Sequence, residues 1–289
     1  MPMTISAIRS AYHRQLCKEI IRIKQNKAKG DYPNFADGDS KSSREIAWGI
    51  VRQLGCPEKN GNLKAQTVGK LFENVTKIFL ENAFKQLAHL RPGEWRYSTE
   101  KTEISGFDQY EHLSYIKDLV RNDSILASAL GGNYIVRPDI VISRSPVSDE
   151  EINRRQTVIG TDDISARYTP LRQVNHTEPC QILHASISCK WTIRNDRAQN
   201  TRTEALNLIR NRKGNQPHIV AVTAEPLPMR IAALALGTGD LDCVYHFALP
   251  ELKSAAEEAK NQDQSEMLDM MVSGKRLRDI SDLPFDLAI

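Results

Sequence analysis

The chain has 289 residues, of which 40% are hydrophobic and 26% charged, with a formal net charge of +3. This is an ordinary globular composition, long enough for one large domain or two small ones, and it excludes fibrous and disordered classes. So mild a charge leaves any nucleic-acid binding to local clusters, and apolar runs of only a few residues, such as Ile219 to Val222, argue against a membrane span.

In chain order, the first expected element is an amphipathic helix near Ser6 to Lys24, whose Arg9, His13, Arg14 and Lys18 stand where a secretion signal would be apolar. Asn34 to Ser43, rich in Asp, Gly and Ser, reads as an ordered loop or turn. A second helix is expected from about Gln66 to Leu90, where Val68, Phe72, Val75, Phe79 and Leu87 recur at helical spacing and Pro92-Gly93 stops the pattern. From Tyr134 the pattern becomes β-rich: Tyr134 to Ile142, Ile182 to Trp191, His218 to Thr223 and Asp242 to Leu249 read as strands. Helical stretches at Ala198 to Arg212 and Pro228 to Leu236 fill the gaps between the last three, so the β-α-β-α-β order predicts an α/β sheet covered by helices. Ser143 to Pro179 is polar and long for a loop, and is expected to carry small elements of its own or a subunit contact. Cys17, Cys56, Cys180, Cys189 and Cys243 are scattered and include no Cys-x-x-Cys pair, which reads as reduced thiols in a cytoplasmic protein.

Period-two alternation in Ile182 to Trp191 puts Leu183, Ala185, Ile187 and Cys189 on one face and His184, Ser186, Ser188 and Lys190 on the other, so Lys190 should face a polar cleft. Pro138-Asp139 places an acid at the end of an otherwise apolar strand, where it is unfavourable without a partner. Phosphodiester hydrolysis needs a divalent metal, carboxylates to hold it, and a positioned water with a cation nearby. Asp139 and Lys190 supply an acid and a cation, Glu204 on the following helix is the expected second acid, and Glu73 on the long helix is a further candidate. Taken singly, each has a plain alternative as a strand-end, solvated or helix-paired residue; the combination is what points to a nuclease.

Arg194-Asn195-Asp196-Arg197 follows four residues after Lys190 and precedes the helix bearing Glu204. Arginine matches guanine O6 and N7 in the major groove and aspartate accepts from the cytosine amino group, so the motif could read adjacent G·C pairs. The alternative is a solvated helix start with Asp196 as a dipole partner. Arg210 to Gly214 is basic enough to touch phosphates, or simply a cationic helix end.

The strings His184 to Asn200, Leu206 to Gly214 and Ala235 to Phe247 closely resemble the NgoMIV restriction endonuclease family, within the PD-(D/E)XK superfamily, and the likeness runs over nearly the whole chain. The resemblance implies a restriction-endonuclease-like α/β fold, a central mixed β-sheet flanked by α-helices, in one domain over 1–289. It implies a prokaryotic type II endonuclease that cuts duplex DNA at a CCGG-containing palindrome, leaves 5′-phosphate ends and works as a homotetramer. Position by position, Asp139 and the Cys189 main-chain carbonyl would bind Mg2+, two ions per active site, with Glu73 and Glu204 nearby. Ser188 stands where the usual acid precedes x-Lys, Glu204 supplies the missing carboxylate, and Lys190 orients or helps deprotonate the attacking water. Arg194 and Arg197 would read the guanines of CCGG and Asp196 its cytosines. Asp37 would read the outer cytosine and Gln66 the minor groove, favouring GCCGGC. A family serine falls on Asp39 here, with Ser40 beside it, and an aspartate cannot replace a hydroxyl donor. Two further readings stay open: a binding protein that has lost cleavage, and a repair nuclease of the same fold that recognises DNA structure.

Overall fold

The computed structural model describes residues 3–100, 102–130, 135–160, 163–172, 180–237 and 239–289, without the side chains of 130 and 195–197. Helix α1 (Ile5–Glu19) opens on a Thr4 side-chain cap and buries Ile8, Tyr12 and Leu16 on one face. It ends earlier than its periodicity suggests, because the β-branched run that follows enters a small ribbon of β1 (Ile23–Lys24) and β2 (Tyr32–Pro33), in which Ile23 pairs with Pro33. After a loop comes α2 (Lys41–Gln53), a helix that starts inside the stretch read as turn, with Ser40 as its cap. The long helix α3 (Ala65–Gln86) runs as expected and ends four residues early, with Leu87 as C-cap. It packs against α1.

Then follow the edge strand β3 (Trp95–Ser98), helices α4 (His112–Asn122) and α5 (Ser124–Leu130), and strand β4 (Ile140–Arg144). A short α6 (Asp149–Ile152) lies in the polar segment before β5 (Ile182–Lys190). From there helices and strands alternate as expected: α7 (Asn195–Asn211), β6 (His218–Thr223), α8 (Pro228–Ala235) and β7 (Cys243–His246). Helices α9 (Leu249–Glu258) and α10 (Gln262–Ser273), strand β8 (Leu277–Asp279) and α11 (Leu283–Asp286) complete the order.

The strands form a six-stranded sheet, β3-β4-β5-β6-β7-β8. β3, β4 and β5 are antiparallel neighbours, and β5 through β8 run parallel. The expected mixed α/β sheet flanked by helices is therefore present, and its core is continuous from Ile8 to Leu287. Of the strand expected over Tyr134 to Ile142, Tyr134 lies outside the described residues, and β4 begins at Ile140, since Pro138 cannot donate to a ladder.

Two expectations are corrected. Cys17 and Cys56 are bonded as a disulfide with Cα atoms 5.1 Å apart, tying the end of α1 to the turn after α2, while Cys180, Cys189 and Cys243 are free thiols. Sequence spacing gave no sign of this, because the pairing joins positions 39 apart that only the tertiary fold brings together. And the face of β5 read as polar is buried at His184 and Ser186, opening only at Ser188 and Lys190, because helices cover both sides of the sheet.

His184 sits between Trp95 and His218, its Nε2 2.8 Å from the Leu287 carbonyl, and burial lowers its pKa to about 3; burial likewise lowers His246 to about 4. Both folded values lie below the unfolded one, so their stabilising contribution is present above about pH 6.5 and is lost as pH falls toward 4. Glu225, raised to about 7 by burial, acts in the opposite sense: its contribution is lost as pH rises toward 7. Two histidines against one carboxyl leave stability decreasing as pH falls below about 6.5. The urea midpoint should therefore fall steadily from pH 6.5 to 5. A flat midpoint would show that these histidines protonate within the fold.

Candidate active site

Antiparallel pairing of β4 with β5 sets Ile140 opposite Ile187. Asp139, one step before Ile140, and Ser188 and Lys190, one and three steps past Ile187, therefore share the other face by strand alternation. There the Asp139 Oδ2 accepts from the Lys190 ammonium at 2.9 Å and from the Cys189 backbone N–H at 2.8 Å. The chain next turns through Trp191 into α7, which crosses this face and brings Glu204 over it. Ser188 and Glu204 line a small space beneath α7 with Pro138 and Thr201.

Burial raises the Glu204 pKa, Lys190 draws it down, and the nearby Asp139 charge raises it again, with a net upward shift. Burial would lower Lys190, but the charge and hydrogen bond of Asp139, with Glu204 behind them, hold it above its usual value. Lys190 is thus a charged ammonium between two carboxylates. Glu73, half-buried on α3, lines the same cleft.

What holds these segments together is aromatic packing. Trp191 is 5.1 Å from Phe72 and 5.7 Å from Phe35, ring centre to ring centre, and it also meets Phe247. Phe72 precedes Glu73, Phe35 lies two residues before Asp37, and Trp191 follows Lys190, so one cluster fixes three lining segments.

The cleft has a volume of about 1750 Å³ and is open to solvent, more than a drug-sized ligand needs and suited to a polymer. Lys24, Lys29, Lys64, Lys70 and Arg137 line it, a local basic rim on a chain of modest net charge. Arg194, exposed, is the N-cap residue of α7 and makes no side-chain cap bond, so its guanidinium is not the helix's own capping group. Asp196 and Arg197 lie in the first turn of α7, with side chains outside the described residues.

Asp37 lines the cleft and is held below the usual carboxylate range by the Asp39 backbone amide and by Arg230, with which it forms an ion pair. Arg230, in the first turn of α8, was not singled out from the sequence; nothing local marks it, because it meets Asp37 only through the fold. Asp39 pairs with Lys29 and is well exposed, whereas Ser40 is engaged as the cap of α2, accepting from the Ser43 amide. Gln66 is exposed at the start of α3 and lines the cleft.

The arrangement is an acid, a cation and a second acid at the wall of a wide basic cleft, with an arginine at the start of the adjoining helix. Comparison with known proteins agrees with it. The family model described as NgoMIV restriction enzyme matches residues 12–289. The chain belongs to the NgoMIV restriction enzyme family. It is also 46% identical over 285 residues to the type II restriction enzyme NgoMIV of Neisseria gonorrhoeae, an alignment covering 97% of each chain. Membership of the NgoMIV family makes it a type II restriction endonuclease, a DNA-binding hydrolase. Among the described residues, no helix is long and apolar enough to cross a membrane.

Proposed function

We propose that this endonuclease, as one domain over 1–289, cuts both strands of duplex DNA at GCCGGC with the help of Mg2+, leaving 5′-phosphate and 3′-hydroxyl ends. The observation that carries the reading is the convergence of Asp139, Lys190 and Glu204 on one sheet face, with Arg194 at the start of the helix that covers it.

The donor set suits a hard cation. No trio of His, Cys, Asp or Glu side chains among the described residues encloses an ion alone. Magnesium keeps several waters and takes one or two carboxylates, which fits Asp139 with the Cys189 main-chain carbonyl, and Glu73 and Glu204 flanking two ions. When bound, the metal neutralises phosphate charge and lowers the pKa of water. Asp139 and the Cys189 main-chain carbonyl would hold it. Glu204 provides the carboxylate that Ser188 lacks, and its pKa is raised chiefly by burial, with the Asp139 charge adding to it. Lys190 acts as a cation facing the phosphate, because its partners favour the charged form.

For recognition, Arg194 and Arg197 read the guanines of CCGG, Asp196 its cytosines, Asp37 the outer cytosine and Gln66 the minor groove. Asp39 and Ser40 are placed at the same loop but are engaged by Lys29 and by α2. The basic rim grips phosphates. Exposed Val158, Ile164 and Tyr168 in the segment after α6 favour contact with further copies of the chain, and we infer a homotetramer in the prokaryotic cytoplasm.

The test is digestion of a fully sequenced plasmid in magnesium buffer, with every cut end mapped to the base. Discrete cuts inside GCCGGC are expected. Cuts at another CCGG hexamer would overturn the roles of Asp37 and Gln66, and cutting only at branched DNA would overturn sequence recognition altogether.

A further inference from the structure

A carboxylate outside the cleft ties its reading and cutting parts together. Glu225 follows β6 and is fully buried. Its Oε2 accepts from the Ile193 backbone amide at 2.9 Å and its Oε1 from the Leu227 amide at 3.2 Å. Ile193 immediately precedes Arg194, the N-cap of α7, and Leu227 is the N-cap of α8, whose first turn carries Arg230 and through it Asp37. One side chain thus clasps the approaches to two helices that each deliver an arginine to the cleft. The same turn is fastened to the catalytic strand: the Glu225 amide donates to Thr223 Oγ1 at 3.1 Å, and that hydroxyl donates to the Lys190 carbonyl at 2.8 Å.

We propose that Glu225 is a positioning residue for sequence discrimination, setting the spacing of Arg194 and of the Asp37–Arg230 pair against Lys190. The inference rests on the reading that Arg194 contacts bases. A buried carboxylate is an unfavourable way to fill a core and is expected where its two acceptors have a definite task. A displacement of about 1 Å at a base-reading arginine is enough to weaken a two-pronged contact and to slow a cleavage step that depends on it.

The experiment compares Glu225→Gln with the wild-type protein. Glutamine keeps the volume, and since burial already pushes the carboxyl up to about 7, a neutral side chain should fold. Its amide, however, offers one acceptor where two amides donate. Cleavage of the cognate site should slow about tenfold, and the ratio of cognate cleavage to cleavage of sites altered by one base should narrow about tenfold, with a cooperative melting transition retained and lowered by several degrees for the one amide left without an acceptor. A lost melting transition with wild-type discrimination in the surviving activity would indicate a merely structural role and overturn the proposal. Wild-type rate and discrimination would do the same. Amide exchange of the unaltered protein gives an independent check: the Ile193 and Leu227 amides should exchange at least about a hundredfold more slowly than unprotected ones, and fast exchange removes the clasp. Arg194→Ala is measured alongside. If it leaves discrimination intact, the base-reading role fails and the proposal with it, whereas loss in Arg194→Ala without loss in Glu225→Gln overturns the clasp alone.

Discussion

Asp139→Ala is expected to lower cleavage at least about a thousandfold, equivalent to about 4 kcal/mol of transition-state stabilisation, while calcium-supported binding of the cognate duplex survives. The expectation follows from geometry. Asp139 projects from the start of β4 onto the face shared with Lys190, where it accepts hydrogen bonds from the Lys190 ammonium and from the Cys189 amide. Alanine removes the proposed metal ligand and leaves Lys190 facing only Glu204 at greater remove. Arg194 and the basic rim are untouched, so the duplex should still be gripped. Asp139→Asn makes the comparison cleaner, because its amide keeps the shape and loses the charge. Gel-shift binding in calcium and single-turnover cleavage in magnesium separate the two effects. Full cleavage by either variant would remove Asp139 from the chemistry, whereas loss of binding together with cleavage would make it a fold residue.

Arg194→Ala should reduce discrimination at one guanine of the central CCGG by about 1–3 kcal/mol and relax specificity there, with smaller changes at the other positions. Arg194 is exposed at the cleft, makes no cap bond to its own helix, and is placed by the same short connection that leads from Lys190. A phosphate contact would behave differently. It would weaken binding to every sequence alike and reduce the salt dependence by about one ion. Competition binding against the four variants at that base pair, repeated at two salt concentrations, distinguishes the outcomes. Unchanged specificity would return the motif to an ordinary solvated helix start.

Much of the site was legible in the chain because it follows from local rules. Alternation along Ile182 to Lys190 separated Lys190 from the core face, the Pro138-Asp139 step marked a strand-end acid, and the spacing from Lys190 placed Arg194 just ahead of the next helix and Glu204 on it. The α7 to β7 order came out as read, with α7 starting and β7 ending three residues earlier than the pattern suggested, since periodicity changes from 2 to 3.6 at each boundary. Short elements were less visible: β3 and β8 have too few residues to show a period, and α9 and α10 were not read from the pattern.

Length, residue pattern and the order of elements, then, determined by themselves an α/β sheet with a strand-end acid and, further on, a lysine and an arginine motif in close succession, because each depends only on neighbours along the chain. Only the tertiary structure decided which distant groups meet. The antiparallel β4–β5 register brought Asp139 to Lys190 across 51 positions. The fold brought Cys17, near the end of α1, to Cys56, just after α2; folding of the loop after β2 against α8 brought Asp37 to Arg230, and the buried Glu225 joined two helix starts. Helices on both faces of the sheet turned His184 and Ser186 from an expected cleft into core, since burial is a property of the packed layers and no strand carries it alone.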